Sequence, residues 1–235
     1  MLLGVLSFMF CSCHAQVGKN SSSAEDNHSY VDLGLPSGTL WATCNIGANN
    51  PEEYGDYFAW GETKGYNSGK TDFDYDAYKW CKGSYFNTFT KYCTDSSSGY
   101  NGFTDDKTEL DLEDDAAYVN WGASWRMPSF EQMVELIDDA YTNYEWTSLN
   151  GVEGYKITSK ANGNSIFLPA AGLREDSFLL GDTQWGGYWS RTLDSDDPSD
   201  AKGLGLYSSD GSYGIGTNHS YRHYGHSVRP VRLSE

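Results

Sequence analysis

The sequence predicts an α+β fold with more strand than helix, and three observations predict it. Five short apolar segments in the C-terminal half, each bounded by Gly, Asn, Asp or Pro, have strand character: GYKITSK, NSIFLPAAG, GGYWSRTL, AKGLGLYSS and HSVRPVRL. Near the N-terminus, apolar and polar residues alternate on both sides of the turn signal Pro36-Ser37-Gly38, the pattern of a β-hairpin. Two stretches carry helical periodicity, and no heptad repeat or membrane-length apolar run accompanies them.

Taken in order, residues 1–15 form an apolar run followed by small residues, the shape of a signal peptide or lipoprotein leader. Cleavage after Ala15 and cleavage before Cys13, with lipidation of Cys13, both fit; the second is favoured, although no Lys or Arg precedes the apolar run. Residues 16–29 are nearly free of apolar side chains and are expected to act as a polar tether. The folded domain is then residues 30–235. Residues 51–93, dense in Tyr, Gly and Asp without a sustained period, are expected to form long ordered loops with short strands.

The better helix is predicted over residues 129–144, with Phe130, Met133, Val134, Ile137 and Tyr141 on one face. Ser129 and Gln132 supply a capping box behind Pro128. A weaker helix is predicted in DLEDDAAYVNW with Asp111 as N-cap. In AKGLGLY, alternation sends Leu204 and Leu206 to the core and Gly203, Gly205 and Tyr207 to the other face.

A net charge of −17 excludes a phosphate backbone as partner, because nucleic-acid affinity comes from Lys and Arg displacing counterions. An aromatic share of 15%, with 18 Tyr and 8 Trp, suits a recognition surface. Outside the leader only Cys44, Cys81 and Cys93 remain: one disulfide, with Cys81–Cys93 the local pairing, or three unpaired buried thiols.

Several motifs fail on spacing. GYNSGKT lacks one residue of a phosphate-binding loop and the strand before it. His219 and His223 have helical zinc spacing, but GIGTNHSYRHYGHS is no helix, and on a strand they stand about 13 Å apart; these histidines, with His226, are expected to be exposed contact residues. The run DSDDPSD has the oxygens calcium prefers but no EF-hand register, so calcium is the one cofactor left open beside a plain solvated turn. No G-x-S-x-G elbow is present.

Composition changes in the tail. Residues 203–234 contain no Glu, Lys, Gln, Met or Trp, types that fill 36 of the preceding 202 positions. Every residue type in that window has a codon ending in C, the set obtained when AAC codons are randomised at their adenines; a Gly/Ser/Tyr-rich binding loop shaped by ordinary selection is the plainer alternative.

YVDLGLPSGTLWATCNIGA, YGDYFAWGE, NWGASWRMPSFEQMVEL, NSIFLPAAG, GYWSRTL and HSVRPVR, in that order over residues 30–233, resemble the Fibrobacter succinogenes major paralogous domain. That resemblance implies a C-type-lectin-like fold of short, mostly antiparallel strands, two helices and long ordered loops. It also implies kinship with the variable proteins of diversity-generating retroelements, whose C-terminal part is a diversified ligand face. On it, Trp189 and Val228-Arg229-Pro230-Val231 are scaffold. The displayed set, within residues 188–226, is Arg191, Asp194, Asp197, Asp200, Gly203, Gly205, Tyr207, Asp210, Ser212, Tyr213, Asn218, His219, Tyr221 and His223. Lys202 departs from the AAC-derived set, and the catalytic cysteines of the related formylglycine-generating branch are missing, which removes that chemistry.

The expected function is therefore non-enzymatic: an exported protein of the cell envelope, an outer-membrane lipoprotein or secreted, that binds a protein or glycan of another cell or phage. Contact with membrane is expected only through a lipid anchor. A fixed envelope adhesin or carbohydrate-binding module is the second reading, and a hydrolase using Asp or His of the C-terminal loops, which needs a concave pocket of convergent ionisable groups, is the third.

Overall fold

A computed structural model describes residues 17–18, 28–209 and 212–233. In chain order its elements are β1 (Val17–Gly18), β2 (Tyr30–Asp32), β3 (Thr39–Ala42), α1 (Ala116–Trp121), α2 (Phe130–Leu136), β4 (Thr142–Leu149), β5 (Val152–Ser159), β6 (Ser165–Pro169), β7 (Leu173–Glu175), β8 (Phe178–Leu180), β9 (Trp185–Leu193), β10 (Asp200–Ser209), β11 (Ser212–Tyr221) and β12 (Val231–Leu233). Every pairing among the named strands is antiparallel. The result is a set of small antiparallel sheets with two short helices, an α+β arrangement dominated by strand. Among the described residues no helix is long and apolar enough to cross a membrane.

The first and last described strands meet in one sheet ordered β1-β2-β3-β12, with Val231 opposite Trp41. The hairpin between β2 and β3 closes where Gly38 N donates to Leu35 O at 2.9 Å, with Gly38 at a positive φ that only glycine adopts cheaply. Val17 and Gly18, inside the expected tether, extend this sheet, and His28 stacks on Trp121 at 3.7 Å. Cys13 lies outside the described residues.

Both helices are shorter than their periodicity predicts. Ser129 and Gln132 form the expected box, Gln132 N donating to Ser129 Oγ and Ser129 N to Gln132 Oε1. The helix stops at Leu136, however, and residues 142–149 become β4, because Thr, Tyr and Trp there find a full cross-strand partner in β5. The cap of α1 is Asp115, not Asp111: its carboxylate accepts from Ala117 N, Tyr118 N and Met127 N, while Asp111 caps nothing. The long loops before α1 are held by buried rings, with Tyr78 donating to Trp60 O at 2.6 Å and packing edge-on to Phe89.

Two arginines are sealed into this framework without carboxylate partners. Arg222 donates to Tyr78 Oη and to the carbonyls of Tyr92, Pro198 and Lys91. Arg229 donates to Asn45 Oδ1 and to the carbonyls of Ala42, Thr43 and Phe167. Each guanidinium thereby ties the tail to segments far away in sequence, using the fork of donors that Lys lacks.

The expected Cys81–Cys93 disulfide is not formed: Cys44, Cys81 and Cys93 are free thiols. Cys93 is buried and turned toward Asp95, whose carbonyl accepts from its Sγ at 3.1 Å. Burial pushes the Cys81 thiol up to about 11.

Candidate functional site

The tail forms a three-stranded sheet in the order β11-β10-β9. Alternation along β10 works as expected: Leu204 and Leu206 are buried against Met133, Leu136, Tyr155 and Ile157, and Ile215 of β11 packs on the same cluster. The aliphatic side chains thus pin one face. The other face carries a row of glycines, because Gly205 is in register with Gly187 on one side and with Gly216 on the other.

That row floors a groove of about 400 Å³, with Trp185 and Tyr207 at one end and Asn218, Ser220 and His226 at the other. The glycines are there because rings and backbone lie directly on the strands. A Cβ at Gly214 would fall inside the Tyr207 ring, one at Gly181 inside the Trp185 indole, and one at Gly187 inside the His226 imidazole. At Gly216 nothing lies within 4 Å of a Cβ, so the floor is open there. His226 Nε2 and Ser220 Oγ share a hydrogen bond of 3.0 Å, while Nδ1 has no partner. Burial drives the His226 pKa down to about 3, so the ring is neutral and the groove lining carries no charge at pH 7.

The structure sorts the expected display set into several places. Gly205, Tyr207 and Asn218 border the groove, and Tyr207 is 54% exposed. Gly203 is a correction: it is buried, and a Cβ would clash with the Tyr188 carbonyl, so it serves close strand packing rather than display. Ser212 and Tyr213 are exposed, but Tyr213 lies on the opposite face from Asn218 and stacks on Trp146 at 5.4 Å.

His219 is exposed and its Nδ1 sits between Asp200 Oδ2 at 3.1 Å and Asp194 Oδ2 at 3.7 Å, both carboxylates being largely covered. Burial, then the neighbouring Asp197 charge, raises the Asp200 pKa. Asp197 is exposed but its Oδ1 accepts from Ser199 N and Oγ, the bonds of a turn. Tyr221 borders a second depression with Tyr75, Phe86 and Asp197. Arg191 turns away from the groove to Glu109, Met127 O and Gln132. Asp210 lies outside the described residues.

The histidines expected to be exposed contacts are corrected in two cases of three. His223 is buried between Tyr75, Tyr221 and Tyr224, with its pKa pushed down to about 4 by desolvation, and His226 is buried over Gly187. The acids of residues 194–200 stand near one another, with Asp194 and Asp200 on His219, but they do not bring three ligand atoms together. Among the described residues the one gathered set of potential ligands is Asp111, Glu113 and Asp114, whose carboxylates already hold Lys91 at 2.6, 3.6 and 2.6 Å.

Trp185, Ser220 and Trp146 were not foreseen, and His226, expected as an exposed contact, lines the groove from a buried position. The Gly186-Gly187 pair inside a strand pattern was the available signal, since it marks close approach to a backbone. A further depression of about 410 Å³, lined by Val31, Thr43, Glu145, Lys156, Ile166 and Phe167 among others, lies along β4–β6 and includes none of the tail. The chain matches no family model, no curated protein and no solved structure.

Proposed function

We propose that this chain is an exported, non-catalytic binding protein with a C-type-lectin-like fold, displayed at the cell envelope, that recognises a protein or glycan of another cell or phage through the β9–β11 sheet. It is a variable protein of the diversity-generating-retroelement kind. The observation that carries this reading is the sheet's asymmetry: Leu204, Leu206 and Ile215 anchor its middle, while Tyr207, Tyr213 and Tyr221 stand 54%, 55% and 46% exposed beside small residues. Tyrosine in that setting offers a large amphipathic contact at little entropic cost, and Gly and Ser leave room for it to settle.

The groove lining supports binding rather than catalysis. Its one ionisable side chain in the ordinary pH range is the neutral His226, which reaches a serine but no carboxylate. A hydrolase needs a nucleophile and base held in mutual contact at such a site, and the buried and half-buried thiols elsewhere have raised pKa values that keep them protonated.

A fixed adhesin is the second reading, favoured by the buried positions inside the compositional window: Gly203, His223 and His226 tolerate little change. Nucleotide sequences of sister isolates separate the two. The proposal expects a nearby template repeat, a reverse-transcriptase gene and adenine-directed changes in the codons of Tyr207, Tyr213, Asn218 and Tyr221, with those of Leu204, Leu206 and Arg229 constant. A tail identical in every isolate, with no template, supports the fixed adhesin instead.

A further inference from the structure

The two long edges of the C-terminal sheet are treated differently. The outer edge of β9 is closed by backbone from elsewhere: Trp189 N donates to Ser227 O, Arg191 N to Pro128 O, Leu193 N to Thr108 O, and Trp185, Gly187 and Arg191 carbonyls accept from Gly172, Ser227 and Leu110. The odd residues of β9 therefore bond outward and its even residues bond β10. Through the register, Leu204 and Leu206 face β9, whereas Gly203, Gly205 and Tyr207 exchange hydrogen bonds with Asn218, Gly216 and Gly214. The odd residues of β11 consequently point their N–H and C=O groups away from the sheet.

The described residues leave that second edge open. Among the described residues no hydrogen bond outside the ladder involves the backbone N–H of Tyr213, Ile215, Thr217 or His219, and of the odd carbonyls only that of Tyr221 is taken, by Tyr224 N at 2.9 Å. The usual guards of an open edge are missing too. The strand is ten residues long, it contains no Lys, Arg, Asp, Glu or Pro, its pairing with β10 has no bulge, and neither Gly214 nor Gly216 takes a positive φ. β4 also ends its sheet with an open side, but it carries Glu145 in the middle, and a charge there disfavours an incoming strand.

We infer that the outer edge of β11 takes up an extended segment of a partner polypeptide as a fourth strand, bonded main chain to main chain. The occupant is a foreign segment rather than a second copy, since two chains of net charge −17 repel each other. Its middle is uncharged, matching β11, and it carries a Lys or Arg at the end that meets Tyr221, where Asp194, Asp197 and Asp200 cluster around the start of β10. The inference rests on reading this sheet as the recognition surface, but it assigns the contact to backbone atoms that the side-chain face does not use.

The test uses the full chain and a displayed library of decapeptides with uncharged centres and one terminal Lys or Arg, followed by synthesis of a selected peptide. In the free protein, amide exchange is expected to be fast at Tyr213, Ile215, Thr217 and His219 and slow at Gly214, Gly216 and Asn218. Peptide binding slows the first set. Thr217→Pro, which removes an outward N–H, weakens binding about tenfold or more with the melting temperature nearly unchanged, and His219→Pro does the same. Val119→Ala, an exposed substitution on α1, leaves binding within about threefold. Protection of the odd amides in the free monomer, concentration-dependent dimerisation that protects them, or selected peptides that bind without protecting them each overturns the inference. The last outcome, combined with losses at Tyr207 and Asn218, leaves the side-chain face standing as the site.

Discussion

Residues 203–221 and 222–231 are consecutive parts of one tail, yet they obey opposite rules. The first part is built of glycine, serine and tyrosine, and it holds the fold through a few aliphatic side chains while much of the rest faces outward. The second part is almost wholly buried and polar: Arg222, His223, His226, Ser227 and Arg229 lie inside, and the arginines are satisfied by carbonyls drawn from residues as remote as Ala42 and Phe167. The arginines are buried because they are given partners, whereas His223 Nδ1, His226 Nδ1 and Ser227 Oγ lie inside without one and are held there by the packing around them. The polar segment therefore fixes the tail in place, and the segment beside it leaves many of its side chains exposed.

The largest effect expected from this contrast comes from Arg229→Met. It removes a buried cation but strands the carbonyls of Ala42, Thr43 and Phe167 and the Asn45 side chain, so unfolding free energy in urea should fall by about 3–5 kcal/mol. A loss below about 1 kcal/mol would show that the buried guanidinium is not what locks the tail.

Next comes acid. The folded-state pKa values of His223 and His226 lie near 4 and 3, below the usual 6.5, because burial penalises the charged ring. A depressed pKa means the unfolded chain binds more protons, so their contribution is complete above pH 6.5 and is lost as pH falls from 6.5 toward 4. Each histidine should remove on the order of 2–3 kcal/mol by pH 4, and His226→Asn should flatten part of the profile measured by thermal melts.

A matched glycine pair sharpens the comparison within the sheet. Gly203→Ala forces a Cβ against the Tyr188 carbonyl and should cost about 1–3 kcal/mol, whereas Gly216→Ala meets open space and should cost less than about 0.5 kcal/mol. The smallest effect belongs to Tyr207→Ala, which should leave the unfolding free energy in urea within about 0.5 kcal/mol because the ring is more than half exposed. A large drop would mean that this phenol belongs to the core.

Much of this was readable where local chemistry decides the outcome. Pro36-Ser37-Gly38 turns the hairpin, Ser129 and Gln132 start α2, and Leu204 and Leu206 go inward, all within a few residues of their cause. What escaped depends on distant partners. Helical spacing continues past Leu136, but β5 captures residues 142–149 as a strand. His223 and His226 look like surface residues until Tyr75 and the bare backbone of Gly187 supply a place to bury them. Arg191 falls inside the expected display segment yet is claimed by Gln132 and Glu109. In GIGTNHSY the contrast between apolar and polar residues is too weak to reveal which side chains share a face, so the division of Tyr213 from Asn218 emerges only from the register.

That division gives β11 two unlike sides. Ser212, Asn218 and Ser220 look one way, while Tyr213, His219 and Tyr221 share the other with Ile215, which is packed on the core. A substitution at an even position therefore acts on the glycine-floored side, and one at an odd position acts on the side that holds the fold.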